Sequence, residues 1–135
     1  MRLPNNAHVA IVDGQNFTVM RNTGQPLEPR LGNADKPDLS ATNFSAGVRH
    51  QDDGGQKTGN TDLTELAHGA AAAGWLNERA VSGEISDVFI IADPKTLGEM
   101  RRHYHGELEK RIVGELDKTM TGETTNRIEQ AISNA

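Results

Sequence analysis

Five consecutive apolar residues, Val88-Phe89-Ile90-Ile91-Ala92, stand between Asp87 and the pair Asp93-Pro94. No other segment limits the fold so strongly. An unbroken run of this length and type suits a strand covered on both faces, the signature of a parallel pairing flanked by helices. Asp93 then reads as a helix N-cap and Pro94 as the first helical residue, where its missing N–H costs nothing. Behind them Leu97, Met100, Tyr104 and Leu108 form the inner stripe of one helix.

Upstream, His8-Val9-Ala10-Ile11-Val12 predicts a first strand and Asn16 to Arg21 a second. The intervening Asp13-Gly14 suggests a tight hairpin turn, because both residue types tolerate positive φ. A third strand is expected within Leu27 to Asp38, limited to a sheet edge by Pro29 and Pro37. Residues 40–61 lack periodicity and hold six Gly and Asn residues, which predicts a long loop. Helical spacing then runs from Leu63 to Val81, with Leu66, Ala67, Ala70, Ala73 and Gly74 on the inner face and His68 and Trp75 on the opposite one. Arg111 to Leu116 predicts a last strand and Thr124 to Ser133 a last helix. The resulting order is β-β-β-α-β-α-β-α. Three meandering strands, a helix and a parallel strand beside the first give an α/β fold with a ribonuclease H-like mixed sheet.

Length and composition set the remaining bounds. The 135 residues suit one domain, and the net charge of -5 opposes binding through phosphates alone. With no cysteine, disulfide scaffolds and thiolate chemistry are excluded, and the reducing cytoplasm is the expected location. Met1 to His8 lacks the apolar core of a secretory signal, and no apolar run nears the roughly 20 residues that span a bilayer. No membrane association is expected, and no cofactor is implied.

Several stretches together carry a resemblance. They are Leu3-Pro4-Asn5 leading into the first strand, Arg21-Asn22-Thr23-Gly24, Gly47-Val48-Arg49-His50, and above all the block from Ala92-Asp93-Pro94-Lys95-Thr96-Leu97-Gly98 through His103-Tyr104 to Leu116. In these the chain resembles the bacterial host-attachment protein family over nearly its whole length. That family is itself similar to the middle domain of archaeal and eukaryotic peptide-chain release factors, whose ribonuclease H-like topology agrees with the order above. In release factors a Gly-Gly-Gln ahead of a helix helps place a water against the peptidyl-tRNA ester. Gly54-Gly55-Gln56 stands in the corresponding loop here. The same tripeptide also arises from a glycine-rich loop, and Lys57 is followed by Asp62 and Glu65 rather than by a basic helix.

Three carboxylates form a second candidate. Asp13, Glu65 and Asp93 fall near the places where a ribonuclease H-like fold holds two metal ions about 4 Å apart for phosphodiester hydrolysis. Each has a plainer role too: turn formation for Asp13, capping for Asp93, an outer helix face for Glu65. His103 and His105, with His50, raise the question of a metal, but two residues apart on one helix they diverge by about 200°. A break at Gly106 would change that. Arg101, Arg102, His103, Lys110 and Arg111 make a local basic cluster. Between Lys95 and Lys118 six Lys or Arg meet five Asp or Glu, as on a solvated helix face. If RNA is bound, this cluster and the stretch Arg49, His50 to Lys57 are the expected contacts. Trp75, the only tryptophan, is either a partner anchor or a covered side chain.

The sequence thus points first to a non-enzymatic interaction domain of the host-attachment type, with RNA, the ribosome or a protein as partner. The alternative is a hydrolase, acting through Gln56 or through the three carboxylates.

Overall fold

The computed structural model describes residues 2–37, 39 and 61–135. Five strands form one mixed sheet in the order β3-β2-β1-β4-β5. β1 (His8–Val12), β2 (Phe17–Asn22) and β3 (Leu31–Asp35) run as an antiparallel meander. Helix α1 (Thr61–Ser82) leads into β4 (Val88–Ala92), which lies parallel to β1 with Val9 opposite Phe89 and Val12 opposite Ala92. Short helices α2 (Pro94–Arg101) and α3 (Gly106–Arg111) precede β5 (Ile112–Leu116), parallel to β4, and α4 (Thr125–Ser133) ends the chain. The three-stranded meander and the parallel strand beside β1 are as the sequence predicts.

The alternation of β1 and β4 divides the core in two. Ala10, Val12, Val88, Ile90 and Ala92 face α1 to α3, packing on Leu76, Ala80, Leu97, Met100 and Leu108. Val9, Ile11, Phe89 and Ile91 face the other way, onto Ile128 and Ile132 of α4 together with Leu3 and Met20. All five residues of β4 are fully buried. Each large side chain so enclosed contributes about 1.5–3 kcal/mol. Where β5 pairs with β4, the register shifts after Val88 and a residue of β5 bulges, and Glu115, opposite Ile90, comes onto the α1-side face.

Small residues in α1 set its distances. Ala70 to Ala73 are buried, and a β-carbon on Gly69 would stand 3.1 Å from the Thr96 methyl of α2. Buried Asn22 fastens the N-terminal segment: its side-chain amide donates to the Leu3 carbonyl at 2.9 Å, and its Oδ1 accepts from the Gly24 and Arg30 N–H groups at 2.9 and 3.0 Å. This explains structurally two of the stretches that carry the family resemblance.

The structure corrects the sequence reading at four places. The helix expected to run from Asp93 past Leu108 is two helices, because residues 102–105 leave the helical path. Asn77 of α1 holds that turn, donating to the His103 carbonyl at 2.7 Å and accepting from the His105 N–H at 2.8 Å. Gly14 does not adopt positive φ. Asp13 instead closes the hairpin with its side chain, accepting from the Gln15 and Asn16 N–H groups at 2.7 and 2.6 Å. Glu65 does not face away from the sheet; it leans over Gly14, where a β-carbon would collide with it. His68 and Trp75 are likewise half-buried toward the β1–β2 hairpin, while Val81, expected inside, is exposed.

Candidate functional site

The parallel pairing of β1 with β4 makes Asp13 and Asp93 emerge side by side, one residue beyond the matched Val12 and Ala92. Glu65 and His68, one turn apart on α1, close over the same edge. His68 Nδ1 lies 2.8 Å from the Asp13 carbonyl oxygen, so Nδ1 carries the proton and donates. Asp13 and Asp93 thus end neighbouring strands, and Glu65 lies over Gly14 beside Asp13. Both aspartates, however, are engaged locally. Asp13 Oδ2 accepts from the Thr121 hydroxyl at 2.5 Å, besides the two backbone donors on Oδ1, and Asp93 Oδ2 caps α2 by accepting from the Thr96 N–H at 3.1 Å. Burial pushes the Asp13 carboxyl up, but the hydrogen bonds from Thr121, Gln15 and Asn16 outweigh it and hold the group below its ordinary value. Among the described residues no three His, Asp or Glu side chains are placed to hold a metal ion.

The basic cluster lies on α2, α3 and the turn between them, and each of its members meets a carboxylate. Arg101 donates from Nε and Nη2 to Glu115 Oε1 at 3.0 and 2.7 Å, while the Tyr104 hydroxyl donates to Oε2 of the same group at 2.9 Å. Burial and the Glu115 charge push the Tyr104 phenol far up, so it stays a donor. Arg102 and His103 approach the two oxygens of Glu99 at 3.6 and 2.9 Å. Lys110 and Arg111 share Glu107 at 3.0 and 3.3 Å. His103 and His105 have separate roles: His105 Nδ1 caps α3 by accepting from the Glu107 N–H at 3.0 Å. Arg102, with 76% of its side chain exposed and the longest ion pair of the set, is the most available cation of this cluster.

Trp75 is half-buried. It meets the Phe17 ring edge-to-face at a centroid distance of 5.4 Å and carries the Arg79 guanidinium 4.4 Å over its ring. Gly54, Gly55 and Gln56, with Arg49, His50 and Lys57, lie outside the described residues.

Residues 6–132 match the family described as bacterial archaeo-eukaryotic release factor family 12. The chain belongs to that family. No curated protein and no solved structure matches it. The matched span takes in all five strands and, but for its last residue, the whole of α4, so the family relation covers the domain rather than a motif. Within this release factor family domain, sequence reading missed His68 and Asn77. The spacing Glu65-x-x-His68 puts both on one helix face, a signal that was legible, whereas the partners of Asn77 come from a turn that periodicity had assigned to a helix. No helix of the described residues is long and apolar enough to cross a membrane.

Proposed function

We propose that this release factor family domain is a non-enzymatic interaction module that engages the ribosome through RNA, in the cytoplasm. The observation that carries the reading is the family match over residues 6–132. The engagement of Asp13 and Asp93 in a turn and a cap supports a binding role over phosphodiester hydrolysis. Arg101 and Arg102 are the proposed contacts on the described surface, joined by Arg49, His50 and Lys57 from the segment before α1. With a net charge of -5, binding rests on a local patch and weakens steeply with salt. On this reading any effect on attachment to host cells is indirect, through gene expression.

Co-sedimentation with purified bacterial ribosomes tests it. The protein pellets with ribosomes at low salt, and Arg101→Glu combined with Arg102→Glu abolishes this while the thermal melt remains cooperative. Absence of the protein from the ribosome pellet at low salt defeats the proposal. A second reading, ester hydrolysis on peptidyl-tRNA, is favoured by Gly54-Gly55-Gln56 preceding α1 in a release factor family. It requires that the protein release the peptide and that Gln56→Ala stop it. A metal-dependent nuclease acting through Asp13, Glu65 and Asp93 would instead cleave labelled RNA with Mg²⁺ and lose that activity in Asp13→Ala.

A further inference from the structure

At the end of the sheet opposite the carboxylate edge, a cavity of about 540 Å³ opens between the meander and α1, lined among others by His8, Arg21, Asp35, Trp75, Arg79 and Glu84. Its volume lies in the range that takes a small ligand. His8 and Arg21 are register partners on β1 and β2. They share the face of Ala10 and Val19, which puts both under α1. Trp75 and Arg79, one turn apart, make the wall. The Arg79 guanidinium caps the indole and is held there by Glu84 at 3.0 Å.

Two features of this cavity are incomplete. His8 Nδ1 is enclosed and has no hydrogen-bond partner among the described residues. Buried polar atoms of this kind are rare and call for a partner. Arg21 has no carboxylate within ion-pair distance among the described residues, and it stands beside the His8 imidazole, whose pKa burial and the Arg21 charge lower. An anion at this point would answer the guanidinium, and a donor or acceptor on it would answer the imidazole. The rest of the lining is of another kind. A guanidinium stacked on an indole is a flat surface of the sort on which nucleobases lie. The carboxylates of Asp35 and Glu84 are acceptors suited to ribose hydroxyls or an exocyclic amine.

We propose that this cavity binds a nucleoside 5′-monophosphate unit, its phosphate at Arg21 and His8 and its base against the Arg79–Trp75 stack. The unit is either a free nucleotide or one nucleotide of single-stranded RNA. In the second case the assignment deepens the RNA-binding reading and rests on it.

Trp75, as the sole tryptophan, reports directly. Its emission, excited at the red edge away from nucleotide absorption, is followed as AMP, adenosine, ribose 5-phosphate or a single-stranded pentanucleotide is added, with calorimetry in parallel. AMP gives a saturable change, and adenosine and ribose 5-phosphate bind more weakly, each lacking one half of the contacts. Arg21→Gln weakens AMP about tenfold, as expected for a lost charge-assisted contact, while its melting temperature stays at the wild-type value. Tighter binding of the pentanucleotide than of AMP assigns the site to an RNA chain; the reverse assigns it to a free nucleotide. No saturable signal with either up to about 10 mM, or equal affinity for ribose 5-phosphate and AMP, overturns the assignment. Ribosome co-sedimentation is read separately, so nucleotide binding without it defeats only the ribosome reading, and co-sedimentation unchanged in Arg21→Gln without nucleotide binding defeats only this one.

Discussion

Asp13, a candidate metal ligand by sequence, also has a structural part in the β1–β2 hairpin. Its carboxylate closes the β1–β2 turn and takes the Thr121 hydroxyl, tying the hairpin to the segment before α4. Because these hydrogen bonds favour the ionised form, the folded-state value lies below the unfolded one of about 3.9. The resulting stability is present above the unfolded value and is lost as pH falls through the folded one. Melting temperatures of wild type and Asp13→Asn, compared from neutral pH downward, differ at neutrality and converge in acid. A constant difference would show that charge has no part in it. Asn22 is the other residue on which much depends. Asn22→Ala leaves the buried Leu3 carbonyl and the partly buried Gly24 and Arg30 N–H groups without this partner, and costs about 2–4 kcal/mol in denaturant unfolding.

At the scale of elements, close approach explains Gly14 and Gly69 where turn chemistry does not. Gly14→Ala forces a β-carbon into the Glu65 side chain and destabilises the protein, and Glu65→Ala added to it restores part of the loss. Additive effects in that double-mutant cycle would deny the contact. β1 and β4 were legible in the sequence because short apolar runs next to Asp leave little choice of structure. The end of α2 was not. Leu97, Met100, Tyr104 and Leu108 keep helical spacing across residues that are no longer helical, and the cause is Asn77, 26 positions upstream of His103. Glu65 was misplaced for a similar reason. Alanines and glycine around α1 let it be covered on more than one side, so periodicity could not tell an outer face from one lying over Gly14. Asn77→Ala releases the turn, and hydrogen exchange at residues 102–105 rises in that variant while β4 stays protected. Equal protection in both proteins would place the hold elsewhere.

For the whole molecule, the order of elements was legible and the use of its surface much less so. Of the blocks that carry the family relation, those within the described residues serve capping, strand burial and the Asn22 network. The cluster from Arg101 to Arg111 is nearly balanced by acids along the chain, and the structure pairs it with Glu99, Glu107 and Glu115. A domain of this charge balance would be held to a polyanion by few contacts, so the proposed ribosome reading is tested by dependence on RNA. Capture of partners from lysate with the immobilised full chain, split between untreated and ribonuclease-treated halves, measures that dependence directly. Ribosomal components recovered in the untreated half and lost after ribonuclease are the predicted result. Recovery of the same proteins in both halves, with no ribosomal RNA in either, would contradict it.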